Sequence, residues 1–341
     1  MPESFDALAV DIARFQCSHI EGYARLVRAR GLSPDALHTA AEFPATPADA
    51  FKVSRVFAFP ESEATATFRT SGTTIGQRGE HFMRTTATYD AAAIAFGRWA
   101  LMHDLALPVR MAVLGPSPTE SPDSSLTHMI AAFFSSFGEP SSDSPYIIEG
   151  DVIDLARLDA IVATLLVDSD RPLFLFGTSF AFVHLLDALG DQPFPLPSKS
   201  RVMLTGGTKG KSREVSASDL RQSLAGAFAI DAQAIVSEYG MTELSSQFYE
   251  TTLRDPNAPH GLYAEPPWAR VVPVDPDTLA PVAEGDVGIA RIEDLMNIDS
   301  AFAVLTADRV RRVPGGFELL GRTPGAAPRG CSIAIDELLG R

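Results

Sequence analysis

Val236-Ser-Glu-Tyr-Gly-Met-Thr-Glu-Leu-Ser-Ser-Gln247 places an aromatic ring (Tyr239), a glycine (Gly240), a thioether (Met241), a hydroxyl (Thr242) and a carboxylate (Glu243) in direct succession. Such a run can stack a base, let a phosphate approach the backbone, bond it, and hold Mg²⁺. An earlier stretch, Phe68-Arg-Thr-Ser-Gly-Thr-Thr-Ile-Gly-Gln-Arg-Gly79, supplies what the first lacks. Its hydroxyls at Thr70, Ser71, Thr73 and Thr74, and its glycines at Gly72, Gly76 and Gly79, can present side-chain and backbone donors to a polyphosphate. As a pair the two stretches read as a nucleotide site. Singly, the loop reads better as a polar surface turn, and Glu-Tyr-Gly better as an ordinary strand-to-turn sequence. The loop is not a Walker A sequence: it lacks the Gly-Lys-Ser/Thr ending, and no lysine lies between Ser71 and His81. Arg78 is the cation available to stand in.

Both stretches sit in a chain that alternates strand and helix patterns. Ala64 to Phe68 reads as a strand entering the hydroxyl loop, and Ala234 to Ser237 as the strand delivering Tyr239 to Glu243. Between them, Val109–Leu114, Leu173–Phe176 and Arg201–Thr205 are short apolar strands, each followed by a Gly, Ser or Thr loop. The strand at Arg201 runs into Gly206-Gly207-Thr208. Thr88–Leu101 and the segment after Ser124, a helix-capping serine, carry helical spacing. This alternation predicts an α/β fold with a largely parallel sheet. Residues 4–30 read as one or two amphipathic helices, and Cys17 within them as a packing cysteine without a role. His184 sits in an aromatic stripe at helical spacing; it reads as core, with an acyl-channel wall as the alternative. From Gly261 to Ile292 prolines and short apolar runs replace helix formers, which predicts a β-rich lobe.

The bulk properties narrow the functions. A net charge of −15 over 341 residues argues against binding nucleic acid or an anionic membrane, both of which need a positive field. A nucleotide site must gather its cations locally, and of the arginines near the later motifs Arg322 is the candidate. The cysteines, Cys17 and Cys331, make no disulfide framework, and the N-terminus has no basic region followed by an apolar signal core. A cytoplasmic protein with reduced thiols and no membrane span is expected. The most apolar helical stretch, Ala91 to Leu107, is interrupted by Arg98, His103 and Asp104.

Thr70-Ser-Gly-Thr-Thr followed by Tyr239-Gly-Met-Thr-Glu243 resembles the adenylate-forming enzymes, which make acyl-AMP from a carboxylate and ATP. Within them the chain resembles the LuxE-type acyl-protein synthetases. The likeness also runs through Thr46-Pro-Ala-Asp-Ala-Phe-Lys52, Ser124-Ser-Leu-Thr-His-Met-Ile130, Gly206-Gly-Thr-Lys-Gly210 and Arg329-Gly-Cys-Ser332, in the family's order and over almost the whole chain. The resemblance implies the adenylate-forming fold: stacked, largely parallel sheets flanked by helices, with a small β-rich lobe and without most of the C-terminal lid domain. It divides the chain into an α/β core over 1–260, the lobe over 261–307, and a hinge remnant with a cysteine-bearing tail over 308–341.

The resemblance also implies roles. Thr70, Ser71, Gly72, Thr73 and Thr74 would cradle the phosphates of ATP; Gly206, Gly207 and Thr208 would flank adenine; and Tyr239, with Gly240 and Met241, would stack on it. Thr242 would bond the α-phosphate, Glu243 would ligate Mg²⁺, Asp308 would hold the ribose hydroxyls, and Arg322 a phosphate or the ribose. His128 is carried over as the histidine bordering the acyl pocket, with a packed core histidine as the alternative. Cys331, on a glycine-flanked tail that can swing and with Arg329 beside it to favour the thiolate, would take the acyl group as a thioester. The substrate implied is a carboxylic acid, above all a fatty acid, and the partner an acyl-accepting reductase or carrier protein. Two alternatives remain open: a ligase passing the acyl group to CoA or another carrier, and a nucleotide-binding subunit that has lost catalysis.

Overall fold

The computed structural model describes residues 4–70, 78–141, 144–150, 152–167, 171–206, 215–323 and 329–340, with 329–332 described by backbone alone. Ser4 caps α1 (Phe5–His19) by accepting from Ala7 N, and Ile20, in extended backbone, separates it from α2 (Glu21–Ala29). Then follow β1 (Thr46–Pro47), α3 (Ala50–Val53), β2 (Ala66–Arg69), β3 (Glu80–Met83) and α4 (Ala87–Leu101). The α/β alternation begins with β4 (Arg110–Leu114). It continues through α5 (Ser125–Phe137), the β5 (Ile148–Glu149) and β6 (Val152–Ile153) hairpin, α6 (Leu155–Val167), β7 (Leu173–Thr178), α7 (Ser179–Leu189), β8 (Arg201–Thr205) and α8 (Ala217–Phe228) to β9 (Ile235–Tyr239). The remaining strands are β10 (Phe248–Glu250), β11 (Leu262–Ala264), β12 (Ala269–Val274), β13 (Val287–Asp294), β14 (Ala303–Val313) and β15 (Gly316–Arg322), and the chain closes with α9 (Arg329–Leu339).

Most strands join one mixed sheet of order β12-β13-β14-β15-β11-β10-β9-β8-β7-β4, with β1 attached to β14. The α/β class predicted from sequence is what forms, but among the described strands parallel pairing joins β4-β7-β8-β9 and β1 to β14 alone. From β9 through β12 the pairing is antiparallel. The physical reason is connection length: a parallel neighbour needs a crossover, here α6, α7 and α8, whereas the short links after β9 return the chain directly. The stretch read as a β-rich lobe carries β11, β12, β13 and the start of β14, continuous with the rest of the sheet. Pro273 is tolerated in β12 because that strand is the sheet edge.

The parallel strands are covered on both faces, as such sheets must be. Met111, Val113, Phe174, Phe176, Met203 and Val236 pack toward α4 and α5. Their alternate neighbours Ala112, Leu114, Leu173, Leu175, Val202 and Leu204 pack toward α6, α7 and α8. His184 is not part of this packing, contrary to the sequence reading. It lies on the exposed face of α7 with its ring against Phe180, because the buried stripe of that helix runs through Ala181, Phe182, Val183 and Leu185. No helix among the described residues is long and apolar enough to cross a membrane.

Candidate active site

The candidate site forms at the carboxyl ends of β8 and β9, where the sheet changes from parallel to antiparallel, the place where open α/β sheets offer a crevice. β9 ends in Glu238 and Tyr239. Glu238 is buried, and its carboxyl accepts the Thr205 hydroxyl from the end of β8. Burial pushes its pKa up to about 7, against the pull of that hydrogen bond. A Cβ on Gly240, which follows the strand, would run into Glu238 Oε1, so a larger residue there would displace the Glu238 carboxyl from its place beside Thr205. The chain then turns through Met241 and Thr242 to Glu243 before β10 reverses its direction.

That turn is fixed by polar groups from three other parts of the chain. Buried Asp294, at the end of β13, accepts from the backbone N–H groups of Ser245 and Ser246 (both 2.9 Å) and from Ser246 Oγ (2.7 Å). Asn297 donates to the Glu243 carbonyl (2.8 Å) and accepts from Ser245 Oγ (2.6 Å). Gln16, buried in α1, donates in turn to the Asn297 carbonyl (2.7 Å). From β3, His81 Nδ1 stands 2.7 Å from the Thr242 carbonyl. Burial lowers the His81 pKa to about 4, so the ring is neutral near pH 7. A carbonyl can only accept, so Nδ1 carries the hydrogen.

Tyr239 is set by the antiparallel half. Its hydroxyl donates to Asp308 Oδ2 (2.9 Å), and Arg322 Nε lies 3.3 Å from Asp308 Oδ1 across the β14–β15 ladder. The ring itself is packed among Phe248, Tyr263 and Phe317, at centroid distances of 5.9, 6.3 and 6.1 Å. The structure thus brings Tyr239, Gly240, Thr242, Glu243, Asp308 and Arg322 together. Gly206 ends the neighbouring strand with φ +67, its carbonyl accepting from Ser179 Oγ (2.7 Å). Ser71, Gly72, Thr73, Thr74, Gly207 and Thr208 lie outside the described residues. Thr70 is described at the neck of the hydroxyl loop, where its N–H donates to the Gly79 carbonyl and its Oγ1 accepts from Gly79 N, both 2.9 Å. Arg78 is not a free charge: it donates to the carbonyls of Thr70 and Arg69 and pairs with Asp123 at 2.7 Å.

Glu243 is almost wholly buried, and burial raises its pKa to about 7, with the charges of Lys52 and Arg322 pulling it down. Among the described residues no group of three or more His, Cys, Asp or Glu side chains could hold a metal by itself. One carboxylate is nevertheless what Mg²⁺ needs when phosphates and water supply its other positions. Glu243 also gains from a divalent cation, which compensates its buried charge. The donor set therefore fits Mg²⁺ carried by a polyphosphate.

His128, on α5, is half-buried at the edge of the same region. Its Nε2 lies 2.7 Å from Asp90 Oδ1, and its ring meets Phe68 and Tyr89 at 5.2 and 5.6 Å. Cys331 is the third residue of α9. The expected swinging tail is instead a helix docked on α2: Arg25 Nε donates to the Leu338 carbonyl (2.9 Å), Arg30 pairs with Glu337 (2.6 Å), and buried Leu338 packs against Gly22. Ala334 and Leu338, one turn apart, supply its buried stripe. Cys17 is the partly buried packing cysteine expected, its thiol pushed up to about 11 by burial. Sequence reasoning missed His81, Asp294, Asn297 and Gln16, which bind mainly backbone and carry no local motif.

In fold, the chain matches adenylate-forming ligases. Over 93% of its length it superposes on 73% of an open conformation of 2-hydroxyisobutyryl-CoA ligase in complex with 2-HIB-AMP and CoA, with a TM-score of 0.63 and 16% identity. Over 85% of its length it superposes on 53% of ATP-bound MatB from Rhodopseudomonas palustris, with a TM-score of 0.54 and 15% identity. A family model described as acyl-protein synthetase, LuxE, matches residues 5–340, so the chain belongs to that family and with it to the ATP-dependent, AMP-forming ligases. The long-chain-fatty-acid–luciferin-component ligase of Aliivibrio fischeri is 22% identical to it over 323 residues, covering 89% of this chain and 81% of that protein.

Proposed function

We propose that this chain activates a fatty acid to acyl-AMP with ATP and passes the acyl group to a thiol, its own Cys331, for delivery to a partner such as an acyl reductase. The observation that carries the adenylation reading is the convergence of Tyr239, Asp308 and Arg322 with Thr242 and Glu243 at the β9–β10 junction. Asp308 accepts from two directions and suits a pair of ribose hydroxyls. Tyr239 and its aromatic neighbours form the apolar wall a base needs. Thr242 offers its hydroxyl to the α-phosphate, and Thr70 and Gly206 are the described residues of the two further sequence runs assigned to the phosphates and to adenine. Glu243, together with the phosphates, would hold Mg²⁺, which would supply charge neutralisation for the leaving pyrophosphate.

In the first half-reaction a carboxylate oxygen attacks the α-phosphorus, and pyrophosphate leaves with the bonding pair. The chain's contribution is positioning and electrostatics, which dominate phosphoryl-type transfers. His128, fixed by Asp90 and flanked by Phe68 and Tyr89, would border the route of the acid toward the α-phosphorus. In the second half-reaction a thiolate attacks the acyl carbon and AMP departs. Cys331 stands in the first turn of α9, where the helix dipole favours the anionic thiolate.

The test is carboxylate-dependent formation of a hydroxylamine-sensitive thioester, read by intact-protein mass spectrometry on wild type and Cys331→Ser. Adenylation in both, with an acyl adduct on the wild type alone, is the expected result. An undiminished adduct on Cys331→Ser removes Cys331 as acceptor. Acyl-CoA appearing on addition of CoA in place of the adduct assigns the acyl group to a free carrier.

A further inference from the structure

The sequence contains four lysines, Lys52, Lys199, Lys209 and Lys211. Lys199 lies by the amino end of β8, in an open hollow with Asp104, Pro108 and Arg110, at the far end of the strand from Thr205. Lys209 and Lys211 are outside the described residues. Lys52, in α3, is the lysine that the described structure sets against the candidate site, through its own contact with the loop neck and through its neighbour Phe51. Its stem runs beside the neck of the hydroxyl loop: a Cβ on Gly79 would lie 3.5 Å from Lys52 Cγ and 3.0 Å from Thr70 Cγ2. Its neighbour Phe51 is buried and meets His81 edge-on at a centroid distance of 5.5 Å. His81 in turn holds the Thr242 carbonyl. α3 is thereby braced against both the loop neck and the Thr242–Glu243 turn, and the ammonium is near enough for its charge to act on Glu243.

The ammonium is held only loosely. Its ion pair is with Asp49, three residues earlier, at 2.6 Å, with the lysine side chain 42% exposed and the aspartate 51%. Exposed pairs at this spacing are weak and readily exchanged, and the lysine's four-carbon stem can swing. On the Glu243 side lies a buried carboxylate without an ion-pair partner among the described residues. A bound polyphosphate and an incoming carboxylate would add several negative charges between these groups.

We propose that Lys52 leaves Asp49 when both substrates are bound and donates to the oxygens brought together in adenylation, those of the acid's carboxylate and of the α-phosphate. This deepens the adenylation reading and rests on it. The bond formed joins a carboxylate oxygen to the α-phosphorus; the bond broken joins that phosphorus to the oxygen bridging to the β-phosphate, which leaves with the electron pair. Lys52 remains an ammonium throughout and transfers no proton. Its effect is to hold two anionic groups at bonding distance and to stabilise charge as it shifts onto the bridging region.

The experiment compares Lys52→Gln, Lys52→Arg and Asp49→Asn with wild type, and with Lys209→Ala and Lys211→Ala. Lys52→Gln is expected to lower the rate constant of carboxylate-dependent pyrophosphate exchange about 100-fold or more, with the calorimetric Kd for ATP alone changed by less than about threefold. Lys52→Arg recovers part of the rate, and Asp49→Asn keeps or raises it. Exchange by Lys52→Gln within about threefold of wild type overturns the proposal, as does an ATP affinity that falls in step with the rate. A large loss at Lys209 or Lys211 with none at Lys52 also overturns it. A second readout needs no turnover: acetic anhydride labelling, mapped by mass spectrometry, with and without a non-hydrolysable acyl sulfamoyl adenosine. Protection of Lys52 but not Lys199 is expected, and equal labelling of Lys52 in both states overturns the proposal. Protection in a wild type that exchanges no pyrophosphate would instead sink the adenylation reading while keeping Lys52 at the site.

Discussion

β7 and β13 are both buried over nearly their whole length, yet against different surroundings. Along β7, Leu173 and Leu175 face one layer of helices and Phe174 and Phe176 the other, with no charged side chain in the strand. Along β13, Arg291, Glu293 and Asp294 are buried among Ile289, Ala290 and Ile292, each with polar partners. The contrast extends to the halves of the sheet, although the parallel half has buried charges of its own in Arg201 of β8, paired with Asp104, and Glu238 of β9. Arg221, buried on α8, grips Glu250 of β10 through both carboxylate oxygens (2.8 and 2.6 Å), and Glu250 also accepts from Ser237 N and Gly261 N. The apolar half makes a rigid platform, while the polar half aims groups: Asp294 and Asn297 fix the turn that carries Glu243, and Asp308 fixes Tyr239. The candidate site lies on the seam because it needs both.

The largest effect is expected at the buried charges. Arg221→Met leaves Glu250 charged and unpaired in the interior, and should cost about 3–5 kcal/mol in urea unfolding. Leu175→Ala, a cavity in the apolar half, should cost about 3 kcal/mol. Arg221→Met should also depress nucleotide binding through β9 and β10, whereas Leu175→Ala should leave the affinity of the folded protein unchanged. Equal loss of affinity in both variants would mean that the two halves do not divide their work in this way.

A smaller effect sharpens the contrast through pH. Glu238 has an ordinary pKa of 4.5 that rises to about 7 in the folded state. Between those values the native state binds more protons than the unfolded one, so its contribution to stability falls as pH rises from 4.5 to 7 and is flat above. Glu238→Gln keeps an acceptor for Thr205 and removes that slope. It should stabilise the protein by about 1–3 kcal/mol at pH 8 and by much less near pH 4.5, as read from urea melts at both values. His81 acts in the opposite sense: its pKa falls from 6.5 to about 4, so its neutral, hydrogen-bonded form loses stability as pH drops through that window. An unchanged melt for Glu238→Gln at pH 8 would show that its carboxyl is not held protonated by burial.

The halves also differed in how far the sequence disclosed them. Val109–Leu114, Leu173–Phe176 and Arg201–Thr205 are recognisable because a parallel strand buried on both faces is a continuous apolar run, and each appears where the pattern put it. Ser124 caps α5 as read. The antiparallel half was harder, since Arg291, Glu293 and Asp294 look like surface charges until their partners, hundreds of residues away in part, are known. His184 illustrates the reverse error: an aromatic neighbourhood suggested burial, but helical phase turned the ring to solvent. Likewise the tail around Cys331 reads as mobile from its flanking glycine, and the Ala334–Leu338 stripe that docks it goes unread. Of the candidate site, the groups carried in one contiguous motif were legible. His81 and Lys52 were not assigned a place in it, because their relation to Thr242 and Glu243 exists only after folding.

Whether Glu243 and its neighbours form an adenylation site is decided by exchange of labelled pyrophosphate into ATP, driven by a panel of fatty, aromatic and amino acids, on wild type and Glu243→Gln with Mg²⁺ varied. Mg²⁺-dependent exchange with fatty acids is expected in wild type, and a rate about 100-fold lower in Glu243→Gln without loss of the fold. Exchange that survives unchanged in Glu243→Gln, or no exchange with any acid in wild type, would contradict an adenylation site there.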